Sequence, residues 1–296
     1  MLRRATLIRT PLIEIVRTDH PPETLRHGTE EELETGHAVT WVESGEFGIG
    51  AGAQDWLLRE GALIISRPGA LYRYTHLPDA APDVCMTVHF ARELDGECER
   101  GLSGAEIVPR ATNRTSFLRW RVAPLLAAGD AMAVDAWGAE LLAALGHGGG
   151  DSGRAHRPSQ LRWYAERVEA VRTTLETRYA EPHTLASLAS SVAISPFQFA
   201  RIFRQLVGRP PHQYLMHVRL DAAHRMLRDG VSVTDACYDT GFSSLSHFIH
   251  IFKRRFGHTP SATRHSCHPE QSEGSPAGWR NLLDQQGILR RLRGSG

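Results

Sequence analysis

The sequence predicts two domains: a mainly-β N-terminal domain with packed helices, and a C-terminal all-α module of two helix-turn-helix units joined by a long helix. Three observations carry this. Apolar residues alternate with a period of two across residues 37–90 and take helical spacing from residue 116 onward. Residues 184–264 state one structural unit twice, at an offset of about 48 residues in its first part and about 49 in its second. Residues 148–160 are Gly-, Ser-, Asp- and Pro-bearing, the composition of a flexible linker. The predicted divisions are 1–147, the linker 148–160, the module 161–265 and a tail 266–296, whose Ser, Gly, Pro and Gln content predicts disorder.

Residues 1–36 are mixed and charged, with Pro11 and Pro21-Pro22, and predict an arm and an edge strand. Val39 and Trp41 then share a strand face. Gly45-Glu46 and Gly50 to Gly52 predict hairpin turns, with a strand over 55–59. Residues 62–66 form an apolar strand closed by Pro68-Gly69, and 71–76 and 84–90 alternate. Short strands punctuated by Gly and Pro predict a small barrel or sandwich. Gly48-Ile49-Gly50-Ala51-Gly52-Ala53 fits the spacing of a dinucleotide site, but such a site needs a helix opening at the glycines. Gln54-Asp55-Trp56-Leu57-Leu58 follows instead, a strand pattern, so a hairpin is predicted.

Tyr72, Tyr74 and His76 are spaced i, i+2, i+4 and share one strand face. Two readings stand: an aromatic core stripe, or an interior lining that meets a small-molecule effector. His-x-His does not occur in this region, and no metal or cofactor is predicted.

Helical spacing returns with Phe117, Trp120, Val122 and Leu125-Leu126, ending at Gly129. Asp130 offers a cap to a second helix carrying Val134, Trp137, Leu141 and Leu145. These helices cover their own β domain or another subunit. A helix over 161–179 turns Val168, Val171 and Leu175 inward and opens the C-terminal module. A helix over 212–227 bridges the repeats, and its Arg219 and Arg225 either reach phosphate or pair with Asp221.

In the first repeat Leu185, Leu188, Ala189 and Val192 share a helical face, and Ala193-Ile194 makes the turn. Ser195 is a favoured N-cap, and Pro196 suits the first helical position, where its missing N–H costs nothing. Phe199, Ile202, Phe203 and Leu206 form the next stripe, stopped by Gly208 with Pro210-Pro211 beyond. The second repeat places Gly241 in the turn and offers Ser243 and Ser244 as caps. Phe248, Ile251, Phe252 and Phe256 then lead to Gly257. A short second helix held by a turn is the geometry that enters a major groove.

The residues off the stripes are Phe197, Gln198, Arg201, Arg204 and Gln205, and in the second repeat Leu245, Ser246, His247, His250, Lys253 and Arg254. Arg and Gln read base edges, and Arg and Lys also hold phosphates. A single basic helix face reads as a solvated surface; two in a repeated helix-turn-helix frame point to double-stranded DNA.

The stretch resembles the DNA-binding domain of AraC/XylS-type bacterial transcription regulators. Thr184-Leu185-Ala186-x-Leu188-Ala189, Ser195-Pro196-x-x-Phe199-x-Arg201-x-Phe203-Arg204, Gly208-x-x-Pro211, Arg219-Leu220-x-x-Ala223 and the run from Gly241-Phe242-x-Ser244 to Gly257-His258-Thr259-Pro260 carry the resemblance. Departures are His250 where Arg is usual, Cys237 where Ala is usual, and Thr263 where an aromatic is usual. The resemblance implies base contacts at Phe197, Ala200 and Arg201, and at Leu245, Ser246, His247 and His250. It also implies a homodimer formed through the N-terminal region and RNA polymerase as a partner. More weakly, Gly61-Ala62-Leu63-Ile64-Ile65-x-x-Pro68-Gly69 resembles the cupin-like sensor barrel of such regulators, with Tyr72 where those barrels often carry His.

The net charge of +1 hides an asymmetry. Residues 165–265 hold 13 Lys and Arg against 8 Asp and Glu, whereas residues 1–164 hold 17 against 22. A basic module on an acidic one suits a polyanion partner at one end. Cys85, Cys98, Cys237 and Cys267 form no Cys-x-x-Cys pair and predict free thiols in a reducing compartment. No apolar run predicts a signal peptide or a membrane span, so a cytoplasmic chain is expected. The function expected is a DNA-binding transcription regulator, an activator modulated by an effector. The rival is a metal-dependent cupin-type enzyme with a helical partner-binding module.

Overall fold

The structure, a computed structural model, describes residues 3–20, 31–76, 82–146 and 155–265, and the chain divides into two units, residues 1–155 and 156–296. Most of the expected linker, Cys267, and the expected tail lie outside the described residues.

Residues 1–36 hold more strand than expected. β1 (Arg3–Arg9), β2 (Ile13–His20) and β3 (Glu31–Leu33) are followed by β4 (Ala38–Ser44), β5 (Glu46–Ala51), β6 (Gln54–Arg59), β7 (Leu63–Ser66), β8 (Leu71–Thr75) and β9 (Asp83–Phe90). They form two antiparallel sheets, ordered β1-β2-β9-β4-β7 and β3-β8-β5-β6. β1 and β3 are edges, but β2 is internal and buries Ile13, Ile15 and Val16. Its charged neighbours hid that alternation. The glycine-rich motif is the β5–β6 hairpin, with Gly52 at φ 57° in the turn, as the strand pattern of residues 54–58 required.

The sheets pack face to face. Val42, Ile64 and Cys85 of the larger sheet meet Phe47, Ile49, Leu58 and Tyr72 of the smaller. The other face of the larger sheet is covered by helices, so β4, β7 and β9 are buried on both sides. α3 (Ala131–Gly146) lies on that face, and α1 (Asp95–Leu102) and α2 (Asn113–Ala128) pack against α3. Trp137 of α3 stands 6.1 Å from Trp41 of β4 and donates its Nε1–H to the Leu118 carbonyl at 2.9 Å. Asp130 caps α3 as expected, accepting from Ala133 N at 3.1 Å. These apolar faces are buried on their own domain, with Val134, Trp137, Leu141 and Leu145 all enclosed.

The second unit contains seven helices among the described residues: α4 (Pro158–Thr177), α5 (Leu185–Ser191), α6 (Pro196–Val207), α7 (Pro211–Arg228), α8 (Val233–Asp239), α9 (Leu245–Phe256) and α10 (Pro260–His265). α4 starts three residues before the expected position, so residues 158–160 are helix rather than linker. Pro158 opens the helix, where a missing N–H is harmless. Val168, Val171 and Leu175 are buried as expected. Arg172, also buried, donates from Nε to the Tyr214 hydroxyl at 3.0 Å and pairs with Glu169 and Glu176, fastening α4 to α7.

His224 of α7 stacks on Phe256 of α9 at 4.5 Å. Burial, then the charges of Arg228, His258, Arg255 and Arg225, lower its pKa from 6.5 to about 4. The unfolded chain therefore takes up this proton before the folded one does. The neutral ring's stability contribution is complete above about pH 6.5 and is lost progressively toward pH 4. Urea midpoints of the wild type should fall more steeply from pH 7 to pH 4 than those of His224→Gln; equal slopes would reject this role.

Candidate nucleic-acid interface

Both repeats are built alike. Thr184 caps α5 by a reciprocal capping box with Ser187, and Ser232 caps α8 by accepting from Asp235 N at 3.0 Å. Each turn then has one residue of positive φ, Ala193 at 53° and Gly241 at 84°, followed by a buried apolar plug, Ile194 or Phe242. A Cβ on Gly241 would lie 2.6 Å from the Ala180 carbonyl oxygen and 2.9 Å from Arg219, so glycine is required there. Gly208 and Gly257, both left-handed, end α6 and α9. Two local expectations fail. Ser195 stands at the N-cap of α6, but its side chain makes no capping bond, whereas Ser244 accepts from His247 N at 3.4 Å. Leu185, expected on the buried face of α5, is 39% exposed at the first position of that helix.

The stripes of α6 and α9 are enclosed, with Phe199, Ile202, Phe203, Leu206, Phe248, Ile251, Phe252 and Phe256 all buried. Their other sides carry the expected reading residues. Phe197 is 91% exposed, an extreme value for an aromatic ring. Arg201, Arg204, Ser246, His247, His250, Lys253 and Arg254 are exposed, and Ala200 is half-buried. Leu245 is half-buried because it packs against the core under α9. Gln198 is exposed, but its Nε2 donates to the Tyr164 hydroxyl at 2.8 Å. Arg201, Arg204, Lys253 and Arg254 form no ion pair among the described residues, so their charge faces solvent.

Other cations are used internally. Arg219, expected at phosphate or paired with Asp221, does neither. It donates to the carbonyls of Tyr179 at 2.7 Å, Gly241 at 2.8 Å and Glu181 at 2.9 Å. Asp221 is instead gripped by Arg255, whose Nη2 reaches its two oxygens at 2.6 and 2.8 Å. Arg255 Nη1 also donates to His217 Nδ1. Of the three consecutive cations in α9, the structure therefore turns one onto α7. Arg225 remains exposed.

The three expected effector residues of the N-terminal unit do share an inward face, but each is engaged. Tyr72 is enclosed in the core, and its hydroxyl points to the Ile65 carbonyl at 3.4 Å. Tyr74 donates to Glu34 at 3.3 Å, and burial raises the pKa of both groups. His76 Nε2 and His20 Nδ1 each lie 2.9 Å from an oxygen of Asp83, a carboxylate only 1% exposed. Burial opposes ionisation of Asp83, but the His20 hydrogen bond and the charges of His20 and His76 outweigh it and lower its pKa. His20 and Asp83, which the sequence reading did not single out, thus complete this cluster; His20 is distant in the chain from both Asp83 and His76. Among the described residues no group of three or more His, Cys, Asp or Glu side chains is arranged to hold a metal ion. Cys85, Cys98 and Cys237 are buried free thiols. No helix among the described residues is long and apolar enough to cross a membrane.

A family described as a helix-turn-helix domain matches residues 188–266. The chain is 36% identical over 91 residues to the HTH-type transcriptional regulator ArgR of Pseudomonas aeruginosa, 30% of this chain and 28% of that protein. It is 33% identical over 101 residues to the HTH-type transcriptional activator RhaS of Escherichia coli O157:H7, 34% of this chain and 36% of that protein. The matched stretch thus spans about a third of these relatives' length. A crystal structure of a probable AraC family transcriptional regulator from Rhodopseudomonas palustris is 32% identical, with a TM-score of 0.33, covering 35% of this chain and 99% of that one. Residues 188–266 are a helix-turn-helix domain of the AraC type.

Proposed function

We propose that this chain is a sequence-specific DNA-binding transcription regulator. The carrying observation is a pair of matched helices, α6 and α9, whose exposed sides hold Arg201, Arg204, Lys253 and Arg254 without ion-pair partners among the described residues. Phosphate contacts supply affinity and base contacts supply choice. Phe197 and Leu245 meet thymine methyls, Ala200 makes a small apolar contact, and Arg201 reads guanine through O6 and N7. Ser246, His247 and His250 read the second half-site, Gln198 flanks the first, and Arg204, Lys253 and Arg254 hold phosphates. α7 spaces the two reading helices by about 34 Å, one turn of duplex. The N-terminal unit is a cupin-like sensor and dimerisation domain that receives a small-molecule effector at the end of its inward face, where Tyr74 and His76 exchange their Glu34 and Asp83 partners for it while Tyr72 packs the core beneath. Activation proceeds through contact with RNA polymerase, in the cytoplasm. The helical unit's named relatives are regulators, which disfavours the metal-dependent enzyme.

Selection of bound sequences from random duplexes tests this on the full chain. The wild type should enrich a defined two-part site, with affinity falling steeply as salt rises. Arg201→Ala should flatten preference in one half of the site, a discrimination of about 1–3 kcal/mol. Lys253→Ala should weaken all sequences alike. If Arg201→Ala keeps the wild-type preferences and loses only affinity, Arg201 is a phosphate clamp rather than a reader.

A further inference from the structure

The two reading helices are not held alike. Gln198 and Gln205 lie seven residues apart on α6, on one flank two turns long. Gln198 Nε2 donates to the Tyr164 hydroxyl at 2.8 Å. His156 Nε2 donates to Gln205 Oε1 at 3.1 Å. The His156 ring stands 5.0 Å from the Tyr164 ring, so the two bonds form one connected brace. Tyr164 is itself buried and backed edge-on by Trp163 at 5.1 Å, and Arg167 lies 3.6 Å over the Trp163 face. The matching positions on α9 are His247 and Arg254, both exposed and without a side-chain hydrogen bond among the described residues.

We infer that Tyr164 and His156 are positioning residues for the first reading helix, setting its rotation so that the first half-site carries the sharper base discrimination. This rests on the DNA-reading function proposed above. A helix packed only by apolar side chains can roll slightly about its axis, because dispersion contacts have shallow angular dependence. Two hydrogen bonds seven residues apart resist that roll, since each weakens steeply as its angle departs from linear. Arg201 lies between the two anchor positions. A bidentate contact to guanine needs both its bonds at once, so a small roll of α6 loses one of them while a phosphate contact elsewhere survives. α9 is tied by polar side-chain bonds at one position of its length, where Arg255 grips Asp221 and His217 of α7, so it lacks a second anchor two turns away, and its base-facing side chains are shorter than Arg201.

The test uses the full chain with Tyr164→Phe and, separately, His156→Ala. Each is subjected to selection from random duplexes, to binding on an unrelated duplex at the same salt, and to thermal unfolding. Preference at the bases flattened by Arg201→Ala should fall about threefold to tenfold in each variant, the range expected for one lost hydrogen bond. Preference in the other half-site and affinity for the unrelated duplex should stay within about twofold. His156→Gln, which keeps a donor toward Gln205, should recover most of the preference. Unchanged preference in both variants would overturn the inference. So would a loss shared by both half-sites and the unrelated duplex in step with a lowered melting temperature, because that marks a purely structural role. A wild-type chain that enriches no sequence is a different result: it removes the DNA-reading function itself.

Discussion

Phe252→Ala should cost the helical unit roughly 3–5 kcal/mol, the range for truncating a fully enclosed Phe. Phe252 is 0% exposed. Its ring lies 5.5 Å from Phe248, 4.5 Å from Phe256 and 6.0 Å from His224, so it joins α9 to itself and to the bridging helix α7. Removing it leaves a cavity lined by rings that cannot collapse, because Phe248 and Phe256 are fixed on the same helix. Phe203 holds the matching place in the first repeat, 5.6 Å from Phe199 and edge-on to Tyr214 at 5.7 Å, and Phe203→Ala should cost a similar amount. Urea unfolding followed by helical circular dichroism measures both. A loss below about 1 kcal/mol with cooperativity intact would contradict the enclosure of these rings.

Arg219→Met should be the second large effect, on the order of 3 kcal/mol, with shape roughly kept and every donor removed. Arg219 joins three pieces of chain: the turn after α4 at Tyr179, the following loop at Glu181, and the turn of the second repeat at Gly241. Burial lowers its pKa, as expected for a cation drawn from water, yet it stays charged at any ordinary pH. Hydrogen bonds to a charged group contribute about 1.5–3 kcal/mol each, and partial rehydration of the carbonyls reduces the total. Because the Gly241 carbonyl belongs to the turn before α9, the loss should also loosen that turn. Amide hydrogen exchange should therefore speed up at residues 240–244 beyond the global change in stability. Uniform exchange across the unit would show that Arg219 acts only on global stability.

The particular residues show where sequence reading succeeds. The apolar stripes of α6 and α9, the glycine stops at 208 and 257, the turn at Gly241 and the exposed positions from Phe197 to Arg254 were all legible, because each depends on spacing within one helix or turn. The inward face of Tyr72, Tyr74 and His76 was legible for the same reason, since a strand alternates sides. What occupies that face was not. His76 and His20 are separated by 56 residues in the sequence, yet both meet Asp83.

The sequence by itself determined the helical stripes, the twofold repeat, the exposed sides of α6 and α9 and the division into a β part and a helical part, since periodicity and capping act over a few residues; it did not reveal α1 or the strands of residues 3–20. Only the tertiary structure decided how individual charges and amides are used. It took Arg219 and Arg255 away from any surface role, placed Gln198 and Gln205 on a brace with Tyr164 and His156, and made β2 an internal strand. A side chain's hydrogen-bond partner depends on which distant segment folding brings within about 3 Å, and a local pattern of residues does not encode that distance.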